Sequence, residues 1–416
     1  MRLLWLAHFV PFPPRGGNLQ RSHNLLRWAA SRHEVHLVAL TQRAILPSDE
    51  DLADAKNALQ PWLATMTVFD IPSDRSRARW WALAARAFFD PRPYEEVWLA
   101  QPAVHQAVTA VGRRVGGFDL VHADTLGMAQ YFASAPGSAT VVNHHNVESH
   151  ITERRAQRDR NMFRRAYLAR DAAKLRVSER RVCPLVSLNI TVSALDAERL
   201  RVVAPGAVVE VVENGVDTEF FRPSGADPAP GTILFVASMT WYPNAEAARY
   251  LIREIWPRLR MSDPDARLKV VGPGPPAELV HLAQNDDRFS APGLVDDVRP
   301  YFDEAEIYLC PIRDGGGTRL KILDALAMAK PMVATSVAVE GLGLEDGVHF
   351  LLAETPEAFV EQVGRLRREP TLRQRLGAAG REVVEARYAW SVVGLHLESA
   401  YSRALARTQL ERPRVA

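Results

Sequence analysis

Apolar positions along the chain fall into short runs separated by longer stretches with helical spacing. One series of runs covers residues 3–7, 35–40, 66–69, 120–122, 140–142, 188–192 and 208–212. Between the runs, Leu19, His23, Leu26 and Ala30 recur as they would on one face of a helix. A second series covers 233–236, 268–271, 289–291, 307–309, 332–334 and 350–352. Strands that alternate with helices predict parallel sheets covered on both faces. Between the two series, residues 222–231 carry three Pro and two Gly, the composition of a linker. The pattern therefore predicts an α/β chain of two doubly wound, Rossmann-like domains, 1–222 and 223–387, facing a cleft. Residues 388–410 read as a helix after the second sheet is complete. In such sheets ligands bind beyond the carboxyl ends of the strands.

Composition narrows the class. The chain has 416 residues, 47% of them hydrophobic and 24% charged, which excludes a disordered or fibrous protein. The formal net charge of +2 is too small for a wholesale nucleic-acid binder, and no nucleic-acid partner is expected. Cys183 and Cys310 are the two cysteines and lie far apart, which fits a reducing compartment and excludes a Cys-based zinc cluster. The opening residues 1–7 read as a first strand rather than a signal peptide, and no apolar run reaches membrane-spanning length. A cytoplasmic protein is expected.

Two glycine loops follow apolar runs. The first, with Gly16 and Gly17, opens the helix that carries Arg21, and Asn18 is a good candidate for its N-cap. It is either a place where the backbone approaches an anionic ligand or a plain strand-to-helix turn. The second has three consecutive glycines, Gly315, Gly316 and Gly317, then Thr318, Arg319 and a helix with Lys321 and Asp324 three residues apart on one face. Backbone N–H groups there form an anion site. The cation suits a phosphate and the acid suits a sugar hydroxyl.

His144 and His145 end the run at 140–142, where an imidazole serves as acid, base or hydrogen-bond donor, or else as a structural cap. No metal-ligand set accompanies them. Residues 151–181 hold eleven Lys/Arg against four acids, so this stretch is +7 and the remainder −5. It is either a solvated face or a surface attracted to anionic lipid. Within 75–89, Trp80, Trp81, Ala84 and Phe88 share a face among arginines, a second candidate for contact with anionic lipid, and burial of that face in the core is the expected reading.

Taken in order, these motifs resemble family 4 of the glycosyltransferases, with the GT-B fold. The match rests on Gly16-Gly17 with Arg21, His145-Asn146-Val147-Glu148, Asn214-Gly215-Val216-Asp217, Val271-Gly272, Gly293-Leu294-Val295-Asp296-Asp297 and the Gly315 to Lys321 loop. Within the family it is most similar to bacterial exopolysaccharide-type sugar transferases. The resemblance implies retaining transfer of a sugar from a nucleotide-diphosphate donor, with no cofactor and no obligatory metal. It implies acceptor contacts at Gly16, Gly17, Arg21, His145 and Asn146, and donor contacts at Val295 and the second glycine loop. It also implies that the final segment, 388–416, packs back on the first domain.

The family pairs two acids with seven residues between them. Here those positions are Gly316 and Asp324, so the ribose-binding acid is an Asp and its companion is missing. Ser238 and Asn244 stand where the family often has Arg and Lys, which leaves Arg319 and Lys321 as the phosphate partners. The acceptor class expected is a glycan, a lipid-linked sugar or a small molecule, with peripheral contact to the inner membrane face through 151–181. A sugar-nucleotide epimerase of the same architecture and a non-catalytic nucleotide-sugar binder are the rival readings.

Overall fold

The computed structural model describes residues 1–14, 16–314 and 320–411. They form two compact units, one of residues 1–213 with 394–416 and one of residues 214–393.

In the first unit the strands are β1 (Arg2–Ala7), β2 (Glu34–Thr41), β3 (Thr65–Asp70), β4 (Leu120–Ala123), β5 (Ala139–His144), β6 (Leu188–Thr191) and β7 (Val209–Val211). Their order across the sheet is β3-β2-β1-β4-β5-β6-β7, and every pairing is parallel. The second unit holds β8 (Thr232–Val236), β9 (Arg267–Val271), β10 (Phe289–Gly293), β11 (Ile307–Cys310), β12 (Met332–Ala334) and β13 (Leu351–Leu352). Its order is β10-β9-β8-β11-β12-β13, again all parallel. Central strands such as Leu3 to Ala7 and Ile307 to Cys310 are wholly buried, as parallel strands covered by helices on both faces must be. In each unit the order reverses between two neighbours, β1 and β4 or β8 and β11. Loops leaving the carboxyl ends of such a pair diverge to opposite faces and open a crevice.

The division between the units falls at Glu213 and Asn214, ahead of the Pro/Gly-rich residues 222–231 expected as the linker. Backbone from Val216 onward is already tied into the second unit. Val216 donates its N–H to the Tyr388 carbonyl at 2.8 Å, and Ala229 donates to Glu304 at 2.9 Å. Phe221 packs edge-on against Phe302. The prolines and glycines there turn a chain that is held on both sides.

The last helix spans Trp390–Glu411 and groups with the first unit from Gly394 onward. Tyr401 hydrogen-bonds the buried His122 at 2.9 Å, Thr408 meets Ser187 at 2.7 Å, and Arg403 pairs with Glu210 at 2.7 Å.

The helix Arg77–Phe89 corrects one expectation. Trp80, Trp81 and Phe88 are exposed, and on this helix only Ala87 is buried. Periodicity identifies residues that share a face; it does not say what covers them. Among the described residues, no helix is long and apolar enough to cross a membrane.

Candidate functional site

In the first unit, the residues just beyond β1 and β4 are His8 and Asp124, and β5 ends in Asn143 and His144 with His145 next. Asp124 is fully buried and lies at the centre of a polar network. Its carboxylate accepts hydrogen bonds from Ser22 Oγ at 2.5 Å and from Asn143 Nδ2 at 2.8 Å, and His145 Nε2 lies 3.4 Å away. Burial alone would push the Asp124 carboxyl up. The imidazole of His145, with those of His8 and His122, outweighs burial and holds it well below the usual carboxylate range.

Arg21 closes this network from beneath. Its Nε and Nη2 donate to Asn143 Oδ1 at 3.1 and 2.8 Å, and its Nη1 donates to the Glu213 carbonyl at 2.8 Å. The side chain is fully buried. Arg21 is therefore placed to brace Asn143, and through it Asp124 and His145, whereas the motif alone had set it among the ligand contacts.

The histidine pair separates, because successive residues of a strand face opposite sides. His144 turns into the unit, hydrogen-bonds Asn189 Oδ1 at 3.1 Å, and is pushed by burial down to about 4. His145 faces Asp124 and the ring of His8, whose centroid is 5.9 Å from its own. Burial lowers His8 to about 4 and His122 to about 3, against the opposing pull of Asp124, so both are neutral near pH 7.

Two acids approach the same corner. Glu95, on the helix Tyr94–Leu99, accepts a hydrogen bond from Thr125 Oγ1 at 2.5 Å. Burial raises its pKa. Glu148 begins the helix Glu148–Arg158 and is pushed up to about 8 by burial, then by the charges of Glu95 and Glu179, against a hydrogen bond from Asn146. Burial therefore favours the protonated form of the Glu148 carboxyl, beside Asn146, more than water would.

Gly16 and Gly17 are exposed at the start of the helix Gly17–Ala30. Gly16 has φ +92°, which a side chain would strain even though a Cβ would meet nothing within 4 Å. Gly16 occupies the N-cap position, and Asn18, expected there, lies within the first turn.

The second unit repeats the plan. Beyond β8 the chain runs past Ser238 into the helix Tyr242–Tyr250, and beyond β11 it leads to the helix Leu320–Ala327. Lys321 Nζ donates to Asn244 Oδ1 at 2.7 Å, and Asn244 Nδ2 donates to the Ser238 carbonyl at 2.7 Å. Asp324, on the same face as Lys321, is half-buried, and burial pushes it up to about 7 against the pull of the Lys321 charge. Gly272 follows β9 with φ +138°, its backbone pressed on the Ala237 carbonyl. Val295 follows β10, half-buried against the core. Gly315, Gly316, Gly317, Thr318 and Arg319 lie outside the described residues.

The structure thus gathers His145 and Asn146 in the first unit, and Lys321 and Asp324 in the second. Among the described residues, no group of three or more His, Cys, Asp or Glu is placed to hold a metal ion. Sequence reading missed His8 and Asp124 as parts of the site, and had Asn143 and Glu148 only as the flanks of the histidine motif, with no role of their own. Their signal was position: each lies at the carboxyl end of a buried strand or opens the helix after one.

Two family descriptions match this chain. "Glycosyltransferase Family 4" matches residues 16–220, and "Glycosyl transferases group 1" matches residues 230–369. A phosphatidyl-myo-inositol mannosyltransferase of Mycobacterium leprae is 27% identical over 232 residues, covering 51% of this chain and 58% of the relative. An uncharacterized 44.6 kDa protein in the cps region of Klebsiella pneumoniae is 24% identical over 139 residues, covering 32% of this chain and 36% of that protein. The chain's match thus spans less than two thirds of each relative. Among solved structures, sucrose-phosphate synthase from Thermosynechococcus elongatus superposes with a TM-score of 0.68 at 17% identity, covering 98% of this chain and 100% of that one. Anabaena HepE in complex with UDP gives a TM-score of 0.68 at 13% identity, covering 97% of this chain and 100% of that one. At such identities these two show the fold.

Proposed function

The chain belongs to the family 4 glycosyltransferases of GT-B fold, and on that premise we propose that it moves a sugar from a nucleotide-diphosphate donor to a glycan or lipid-linked acceptor with retention of anomeric configuration. The observation that carries the donor side is the position of Lys321 and Asp324 on one helix at the β8/β11 reversal, with Asn244 fixing the ammonium. The name of the M. leprae relative, a phosphatidyl-myo-inositol mannosyltransferase, supports an acceptor that carries a lipid. The relative from a cps region supports a role in polysaccharide synthesis.

In this reading the second unit holds the donor. Bond cleavage leaves both electrons of the sugar–oxygen bond on the diphosphate, so negative charge grows there as the transition state forms. A cation fixed in advance stabilises that charge without reorganising at the moment of reaction. Lys321 is such a cation. The Gly315–Gly317 amides, Thr318 and Arg319 are proposed to join it on the diphosphate, which makes a metal unnecessary. Asp324 accepts hydrogen bonds from the ribose hydroxyls.

The first unit receives the acceptor beside Gly16, Gly17, Asn146 and His145. His145, oriented by Asp124, accepts or donates a hydrogen bond at the acceptor hydroxyl. Glu148, whose carboxyl burial biases toward its protonated form, donates one.

The test is to incubate the protein with a panel of nucleotide sugars and lipid-linked or oligosaccharide acceptors, and to read the new anomeric proton by NMR. An acceptor-dependent product with the donor's anomeric configuration is expected. An inverted product would refute retention, and nucleotide release that needs no acceptor would favour an epimerase.

A further inference from the structure

We propose that the helices Arg77–Phe89 and Met162–Val182 of the first unit form one surface that docks on an anionic lipid bilayer. They pack side by side. Tyr167 Oη donates to the Ala84 carbonyl at 3.4 Å and its ring stacks on Phe88 at 5.9 Å. Arg170 Nε and Lys174 Nζ donate to the Phe88 and Ala87 carbonyls at 3.0 and 2.6 Å. Those carbonyls end the first helix, so the basic side chains of the second also cap it.

Along this pair, large apolar side chains point into solvent. Trp81 is 63% exposed, Phe89 79%, Met162 69% and Phe163 80%, with Trp80 and Phe88 also exposed. Trp80 lies one turn before Ala84, and Phe163 one turn before Tyr167, so both precede the same inter-helix contact along their faces. Clustered exposed aromatics mark an interaction site, since isolated ones are ordinary but a cluster is costly to leave in water.

Charge selects the partner. The helix Arg77–Phe89 carries Arg77, Arg79 and Arg86 and no acid. The helix Met162–Val182 has seven basic residues and two acids, and both acids turn inward. Asp171 accepts the Tyr94 N–H at 2.8 Å, and the buried Glu179 accepts the Ser149 N–H at 3.1 Å. What faces outward is Arg77, Arg79, Arg86, Arg164, Arg165 and Arg170 around bare aromatic rings. Indole and phenyl rings that enter the headgroup region, flanked by guanidinium groups on lipid phosphates, are the chemistry of an interfacial helix. This surface is independent of which sugar is transferred.

The test is flotation of the full chain with phosphatidylcholine vesicles, with and without phosphatidylglycerol, at low and high salt. Partition onto the anionic vesicles is expected to be at least about tenfold stronger than onto neutral ones, and to weaken with salt. The triple variant Trp81→Ser, Phe89→Ser, Phe163→Ser should lose about tenfold at either salt. The variant Arg77→Gln, Arg79→Gln, Arg165→Gln should lose the preference for anionic vesicles. All these side chains are exposed, and an unchanged melting temperature shows that the fold is retained. Equal flotation with neutral and anionic vesicles, or variants that float like wild type, would overturn the proposal. So would a dimer in sedimentation velocity that the aromatic variant disperses while vesicles capture neither form, since that assigns the face to a protein.

Discussion

The ammonium of Lys321 is tethered to the side-chain oxygen of Asn244 at 2.7 Å, across the two strands at which the second sheet reverses its order. Asn244 is itself fixed by its amide on the Ser238 carbonyl. Lys321 is therefore pre-oriented by a residue that need not touch the donor. Lys321→Ala should lower kcat about 100- to 1000-fold, the cost of losing one donor that acts on transition-state charge. Asn244→Ala leaves the charge but removes one tether on its direction, so it should lower kcat by up to about tenfold with a smaller change in donor KM. Steady-state kinetics with one identified donor measures both.

In the proposed reading Asp324 accepts hydrogen bonds from the donor ribose, a part whose charge does not change during transfer. Its loss removes binding that ground and transition state share, so KM should rise while kcat moves little. A hydrogen bond to a charged group is worth about 1.5–3 kcal/mol, so at a pH above about 7, where Asp324 is ionised, Asp324→Ala should raise donor KM roughly 10- to 150-fold. Asp324→Glu should be tolerated far better.

Asp324 also makes a pH prediction for the free protein. Its folded pKa, about 7, lies above its ordinary value, so the folded state binds its proton more tightly than the unfolded state. Stability from this group is fully present below the unfolded pKa and is lost as pH rises toward 7. Asp324→Asn removes that dependence. Its melting temperature should exceed the wild-type value by an amount that grows between about pH 4 and 7 and then levels off. Thermal melts across that range check it, and a gap that shrinks with rising pH would contradict the burial of this acid.

Asp124 has the opposite sign. Its depressed pKa contributes stability above the unfolded carboxyl value and loses it only as pH falls into strong acid. Asp124→Ala leaves Ser22, Asn143 and His145 without their shared acceptor, and should destabilise the first unit by about 3–5 kcal/mol at neutral pH. The gap to wild type should narrow below about pH 4, as measured by urea unfolding at several pH values.

Gly272→Ala tests the close backbone approach in the second unit. A Cβ there would sit 2.0 Å from the Ala237 carbonyl oxygen, at a φ of +138°. The substitution should cost at least about 2 kcal/mol, and nucleotide binding should fall with it. A variant as stable as wild type would show that the β8 and β9 ends are not held together as described.

Each apolar run in the sequence falls on a strand to within a residue at either end, most clearly in the central strands, because a parallel strand covered on both faces must be apolar along its length. Lys321 and Asp324 were legible for a related reason: helical spacing fixes their common face. Asp124 was not. It is a single acid brought to Ser22 and His145 by strand pairing, and no local spacing encodes contacts over 102 residues. Asn244 was visible only as a departure from the family's usual basic residue, and its bond to Lys321 required the fold. The division at Asn214 escaped composition because Pro and Gly mark turns whether or not the chain is tethered on both sides.

The central claim is that Lys321 holds the diphosphate of the donor, and nucleotide-dependent thermal unfolding of wild type and Lys321→Ala tests it most directly. The matched nucleoside diphosphate at 100 times Kd should stabilise wild type by about 2.7 kcal/mol, well beyond the monophosphate at the same concentration. Lys321→Ala should lose most of the difference between diphosphate and monophosphate. An equal diphosphate advantage in both proteins would place the diphosphate elsewhere and contradict the account.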